Sequence, residues 1–316
     1  MVALIHIQKP HALRAGDWVG LAAPSSPFDH GALEQGSLFL ENLGFRLRYV
    51  PGFLSRRRGF LAGEDCERAE ELRVLFEDAQ VRAIFAARGG YGAMRILNRL
   101  DPAVIRRNPK LLVGYSDLTC ILSFLLDVCN LVCIHGPVVT EMGTLSARSR
   151  RHLHRCLTRA SPIGPVPLRR PRWIRKGRVK APLVGGNLSV ISATIGTPWA
   201  MQTEGRILFL EDRGEKPYQV DRMLVQLRQA GKLSSIAGLL FGDVLEQTGS
   251  DHPLRGRKAM EEVLYENTRD LGVPVVCGLP VGHGKENLAL PLGVLAEING
   301  TQETFSIVEP AVRERA

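Results

Sequence analysis

Through the first half of the chain, short apolar runs alternate with apolar residues at helical spacing. Trp18 to Ala23 precedes Gly31 to Leu43, Ala83 to Ala87 precedes Ala93 to Leu100, and Leu111 to Val113 precedes Leu118 to Val128. A brief apolar run bounded by turn residues fits a buried strand, and apolar residues three and four apart fit a helix with one face on a core. The alternation predicts a mostly parallel sheet covered by helices, with ligands expected beyond the carboxyl ends of its strands. The pattern breaks at residues 161–182, SPIGPVPLRRPRWIRKGRVKAP, where Pro, Arg and Lys displace any periodicity. This stretch is expected to be a linker between a domain of residues 1–160 and a second domain of residues 183–316. In the second half the pattern predicts helices over Asn187 to Ile195, Tyr218 to Ala230 and Lys258 to Leu271. Strands are expected over Arg206 to Leu210 and Ile236 to Val244, then around Val275, Val294 and Phe305. The second domain therefore reads as α/β with more strand character. No internal repeat is visible.

Composition narrows the class. A chain of 316 residues with 45% hydrophobic content can bury a large core, and two domains suit its length. The opening MVALIHIQKPH is too brief an apolar run for a signal segment, and no later run approaches a membrane span, so the expectation is a cytoplasmic protein with no membrane partner. Six Cys in such a chain are expected as free thiols rather than a disulfide framework. The net charge of +9 comes largely from short clusters such as Arg56-Arg57-Arg58 and Arg169-Arg170. Without a recognition motif or interleaved aromatics these read as a solvated basic face, so no nucleic-acid partner is expected, while a small anionic substrate remains compatible.

Candidate chemistry gathers at strand ends. Ser116 stands where the strand Leu111 to Val113 turns into a helix, a position that suits both an N-cap and a nucleophile raised on a tight turn. Gly114-Tyr115-Ser116-Asp117-Leu118 meets only half of G-x-S-x-G. Arg88-Gly89-Gly90-Tyr91-Gly92 follows another strand. It fails as a dinucleotide fingerprint, lacking both the third Gly and an acidic ribose partner, yet it brings bare N–H groups to the same sheet edge. A tight turn needing positive φ explains the glycines equally well. Glu211 ends the apolar strand of ILFLED, and His283 lies between two glycines in LPVGHG. Singly these are a solvated strand end and a loop His. Together with Ser116 they give the residue types and order of nucleophilic acyl chemistry. His152-Leu-His154 and Cys129-x-x-x-Cys133-x-His135 lack a matched second pair, so no metal and no cofactor is expected.

Five spaced blocks, GYSDLT, RGGYGAMRIL, LVGGNLSVISATIGTPW, ILFLEDRGEKPYQVDRMLVQL and GLPVGHGKENLALPLG, with the earlier APSSP at Ala23 to Pro27, resemble the serine LD-carboxypeptidase family, the muramoyltetrapeptide carboxypeptidases. The resemblance spans most of residues 13 to 308. It implies a Rossmann-like, parallel-sheet N-terminal domain and a C-terminal β-barrel-like α/β domain, with the active site between them. It also implies Ser116 as nucleophile, Glu211 and His283 as its partners, and an oxyanion hole from the backbone N–H groups of Gly90 and Asp117. Ser116 would then be cap-like in position and nucleophilic in role, and the triad would exist only if the two domains pack together. The implied substrate is a murein tetrapeptide losing its terminal D-Ala in cell-wall recycling. Arg88 and Lys285 are candidates for its terminal carboxylate by sequence proximity alone, plain surface charges being the simpler account. The microcin-immunity branch of the same family, which cleaves aminoacyl- or peptidyl-nucleotide conjugates, is the alternative. A catalytically silent binding protein using the Gly-rich edge is a third reading. The oligomeric state stays open, a homodimer included.

Overall fold

The structure is a computed structural model that describes residues 7–244, 253–284 and 286–315. The chain folds into two compact units. The first draws on Met1–Ser161, Leu288–Gly293 and Pro310–Ala316, the second on Pro162–Asn287 and Val294–Glu309.

In the first unit, β1 (Trp18–Ala22), β2 (Arg46–Arg48), β3 (Val81–Ala86), β4 (Leu111–Gly114) and β5 (Cys133–His135) form a parallel sheet in the order β2-β1-β3-β4-β5. A sixth segment, Leu290–Leu292, pairs antiparallel with β5 at the edge. The helices are α1 (His30–Asn42), α2 (Asp65–Glu77), α3 (Pro102–Arg107), α4 (Thr119–Asp127), α5 (Val139–Met142) and α6 (Ala147–Thr158). The expected Ala93 to Leu100 helix is a 3-10 segment, Ala93–Arg99. β1, β3 and β4 are buried almost throughout, as expected of strands covered on both faces. The strand order reverses between β1 and β3. The loops leaving those two strands, APSSP and RGGYG, therefore flank the switch point at which open parallel sheets bind ligands.

The second unit holds β6 (Gly164–Val166), β7 (Arg172–Arg175), β8 (Arg178–Asn187), α7 (Leu188–Thr194), β9 (Ile207–Glu211), α8 (Pro217–Gln229), β10 (Gly238–Phe241), α9 (Pro253–Thr268) and β11 (Val275–Cys277). After β12 (Leu290–Leu292), which belongs to the first sheet, come β13 (Leu295–Asn299) and β14 (Thr304–Ile307). The sheet order is β6-β14-β13-β8-β9-β10-β11-β7. Its centre, β8 to β11, is parallel and its flanks are antiparallel. The barrel-like expectation thus meets an eight-stranded mixed sheet with β6 and β7 at its ends.

Two expectations need correction. Residues 161–182 are not a structureless linker, because they contain β6, β7 and the first half of β8. β6 and β7 are edge strands, where Pro is tolerated and charge discourages further pairing, so they lack the apolar signature of central strands. The boundary between units is also not a single cut, since the segments around β12 and the C-terminus belong with the first unit rather than with residues 183–316. No helix among the described residues is long and apolar enough to cross a membrane.

Candidate active site

Ser116 is one of four non-glycine residues among those described with positive φ, at +63°, two residues past the end of β4. This conformation costs a residue with a Cβ about 1–3 kcal/mol and needs support from its surroundings. It is not a cap: the short 3-10 segment starting at Ser116 has Tyr115 at its N-cap, α4 has Leu118 there, and neither makes a side-chain capping bond. The serine is lifted on a strained strand-to-helix turn, and the backbone beside it is bare. A Cβ on Gly89 would lie 3.1 Å from Ser116 Cβ and 3.4 Å from its Oγ, tighter than ordinary contact, so glycine eases the close approach of the RGGYG turn.

Several side chains hold this turn. Ser26 Oγ accepts from Tyr91 N at 3.1 Å, and Ser26 N donates to the Gly89 carbonyl at 3.3 Å. A Cβ on Gly90 (φ +104°) would fall 2.5 Å from Ser26 Oγ. The Asp117 carboxylate accepts from Ser25 Oγ at 2.6 Å and from Ala93 N at 2.8 Å. Burial pushes its pKa up, against the pull of those hydrogen bonds. Its side chain is therefore structural, leaving only its N–H as a candidate oxyanion donor. Arg68, fully buried on α2, donates to the carbonyls of Pro24 and Gly92 and so ties the APSSP loop to the RGGYG loop. On the same helix, Glu71 accepts from Ala23 N at 2.6 Å and from Arg56 Nη2 at 2.5 Å. Burial raises its pKa to about 7 despite both donors. From the other side, Tyr115 Oη donates to Glu141 at 2.5 Å, and Thr140 N donates to the Ala87 carbonyl at 3.1 Å. Arg88 is exposed and donates to the Pro27 carbonyl at 2.7 Å.

In the second unit, Glu211 ends β9 with its side chain fully buried, and its Oε2 lies 2.8 Å from His283 Nδ1. Asp212, the next residue, turns elsewhere. It accepts from Ser189 N at 2.8 Å, Ser189 Oγ at 2.7 Å and Asn187 Nδ2 at 3.1 Å, serving the start of α7. Glu215 stands 3.5 Å from Ser189 Oγ, its pKa raised by partial burial and by Asp212. The His283 loop is gripped on both sides. Gly282 N donates to Asn287 Oδ1 and Gly284 N to Asp243 Oδ2, each at 3.1 Å. Gly282 has φ +114°, and a Cβ there would meet Glu211 Oε2 at 2.5 Å, so the residue before the histidine must be glycine for the pair to close.

The structure thus brings Glu211 to His283 in one unit, and Ser116 to the Gly89–Gly90 turn in the other. Lys285 lies outside the described residues. The sequence reading missed Arg68, Glu71, Glu141, Asp243 and Asn287. Only Asp243 carried a signal, a carboxylate just past an apolar strand, as in Glu211. Of the residues in the discounted metal patterns, His152 Nε2 lies 2.9 Å from the Ala289 carbonyl, and Cys133 Sγ donates to that of Leu122.

Comparison with known proteins finds two family models along the chain. Residues 19–136 match the family model of the LD-carboxypeptidase N-terminal domain, and residues 180–298 match that of the LD-carboxypeptidase C-terminal domain. The probable murein peptide carboxypeptidase of Bacillus subtilis (strain 168) is 37% identical, over 98% of this chain and 96% of that protein. The crystal structure of muramoyltetrapeptide carboxypeptidase from Oxalobacter formigenes, 31% identical, superposes with a TM-score of 0.79 over 92% of this chain and 97% of that one. An MccF-like protein from Bacillus anthracis shares the fold, with a TM-score of 0.85 over 95% and 99% of the two chains, at 23% identity.

Proposed function

Because the chain belongs to the LD-carboxypeptidase family, we propose that it is a serine-type carboxypeptidase releasing the terminal D-Ala of murein tetrapeptides in cytoplasmic cell-wall recycling. In this reading the first unit is the Rossmann-like half and the second the barrel-like half of the family fold. Ser116 Oγ attacks the scissile carbonyl while His283 takes its proton through Nε2. Glu211 fixes the imidazole with its proton on Nδ1 and stabilises the cation that forms. The N–H groups of Gly90 and Asp117 bind the oxyanion. His283 then returns the proton to the leaving D-Ala nitrogen, and water, deprotonated by His283, hydrolyses the acyl-enzyme. Arg88 is our candidate for the terminal carboxylate of the substrate, and its existing bond to Pro27 would hold the guanidinium beside the turn.

The observation that carries this reading is the left-handed Ser116 against the bare Gly89 backbone, since a capping serine needs neither feature. The test is D-Ala release from a purified tetrapeptide, with a fluorophosphonate probe labelling Ser116. Activity should survive EDTA, and loss that zinc restores would overturn the serine mechanism. A pentapeptide ending in D-Ala-D-Ala should be a poor substrate, because its last bond joins two D-centres and would misplace the carbonyl relative to Ser116. The microcin-immunity alternative is weaker, as the microcin C7 self-immunity protein of Escherichia coli is 27% identical over 94% of this chain against 37% over 98% for the murein peptide enzyme. Cleavage of an aminoacyl-nucleotide in preference to the tetrapeptide would reverse that order.

A further inference from the structure

A groove between α1 and α6 encloses a cavity of about 750 Å³ within the first unit. Its floor is apolar, built from Leu38, Phe39 and Leu43 of the α1 segment. Leu38 is 53% exposed, at a position that a merely solvated helix face would fill with a polar residue. The rim is cationic and comes from one face of α6. Arg151, His154 and Arg155 follow helical spacing, with Arg159 just beyond the helix, while His152, Leu153, Cys156 and Leu157 of the same helix are buried. Arg150 lies over the Phe39 ring at 5.3 Å and donates to the carbonyls of Gly143 and Leu145, which fixes one wall.

A basic helix face is ordinarily just solvated, and cations near a helix C-terminus favour its dipole. That account covers Arg155 and Arg159 but not Arg151, which sits mid-helix. Neither Arg151 nor Arg159 makes an ion pair among the described residues, and no carboxylate lines the groove. The acids of α1, Glu34 and Glu41, line a separate cavity with Trp18 and Tyr49. Charge is therefore sorted across α1, with unneutralised guanidinium groups left beside the apolar floor. A second copy of this chain is a poor occupant, because the face would bring its arginines against a protein of net charge +9. The volume falls in the range of small-molecule sites.

We propose that the α1/α6 groove binds a small soluble amphiphilic anion, an apolar body on Leu38 and Phe39 carrying a phosphate or carboxylate head held by Arg151 and Arg159. The proposal is independent of the peptidase reading. The groove variants below should keep wild-type D-Ala release, so failure of one claim leaves the other standing.

The probe is 1-anilinonaphthalene-8-sulfonate, titrated by fluorescence beside its uncharged analogue N-phenyl-1-naphthylamine. One saturable site is expected, with the anion bound about tenfold more tightly than the neutral ring, the value of one charge-assisted contact. Decyl phosphate or decanoate, below micelle concentration, should displace it. Arg151→Glu/Arg159→Glu should weaken the anion at least about tenfold and leave the neutral probe unchanged, whereas Leu38→Asn should weaken both. Circular dichroism and thermal melts establish that each variant is folded. Equal binding of the two probes, or anion binding indifferent to all three substitutions, would overturn the proposal. So would binding to phosphatidylglycerol vesicles without displacement by monomeric decyl phosphate, which makes the occupant a membrane. A ligand-free dimer dissociated by Leu38→Asn in sedimentation would equally overturn it, because the groove would then be filled by a second copy.

Discussion

Replacing Glu211 by Gln preserves the volume of a fully buried side chain and changes what it offers His283. In the proposed mechanism the carboxylate, which can only accept, holds the Nδ1–H tautomer across the 2.8 Å contact and leaves Nε2 as the base. An amide can present its NH₂ to Nδ1 instead, which stabilises the opposite tautomer and removes the base. It also forfeits stabilisation of the imidazolium. By analogy with a triad carboxylate made neutral, Glu211→Gln should lose roughly 10³ to 10⁴ in turnover, about 4–5.5 kcal/mol of barrier. The neighbouring carboxylates provide the controls. Glu215 stands only 3.5 Å from Ser189 Oγ, so Glu215→Gln should lose less than about tenfold. Asp212 is committed to Ser189 and Asn187, so Asp212→Asn should act on folding, costing about 1–3 kcal/mol with a smaller effect on turnover. The assay is steady-state D-Ala release coupled to D-amino-acid oxidase, with circular dichroism on each variant. If Glu215→Gln is crippled while folded Glu211→Gln keeps near-wild-type turnover, the orienting group lies in the turn after β9 and the reasoning fails.

Gly282→Ala adds a methyl 2.5 Å from Glu211 Oε2 at φ +114°, so the His283–Glu211 pair must shift. A displacement near 1 Å predicts roughly a 10²-fold loss in kcat with KM nearly unchanged, and unaltered kcat would contradict the placement of this loop. Ser116→Gly should abolish turnover and fluorophosphonate labelling yet raise Tm, because relieving a left-handed residue returns about 1 kcal/mol; calorimetry that shows a lower Tm would refute the strain argument. The raised pKa of Glu71 fixes a sign in pH. Between the ordinary carboxylate value and about 7 the folded state binds more protons than the unfolded one, so this group makes stability fall as pH rises through that window and level off above it. Melts from pH 5 to 8 should show a shallower decline in Glu71→Gln, and an identical slope would exclude Glu71 as its source.

The parallel core of the first unit was legible because strands buried on both faces are near-continuous apolar runs, and β1, β3 and β4 fell where the pattern put them. α2 was not, and the reason is specific. Its core-facing positions include Arg68 and Glu71, fully buried charges where periodicity would demand Leu or Ile, so the helix that supports the site loops carries almost no amphipathic signal. β6 and β7 were illegible for the opposite reason, being edge strands built of Pro and Arg. Ser116, Glu211 and His283 were visible as odd residues at strand ends. What holds them was not: Asp243 reaches the His283 loop from 41 residues away, a separation no local pattern encodes, and Asn287, only five residues past Gly282, is one more polar residue in an aperiodic loop.

The sheet of the first unit takes its last strand, Leu290–Leu292, from chain that has already run through most of the second. Neither half can therefore be cut out as one continuous piece of polypeptide. A fragment ending at Ser161 would leave β5 as a bare edge with unpaired N–H and C=O groups, open to pairing with another chain. On a ribosome, the first sheet stays unfinished until the His283 loop has been translated. The scaffold beneath Ser116 thus reaches its final state only after His283 has been made.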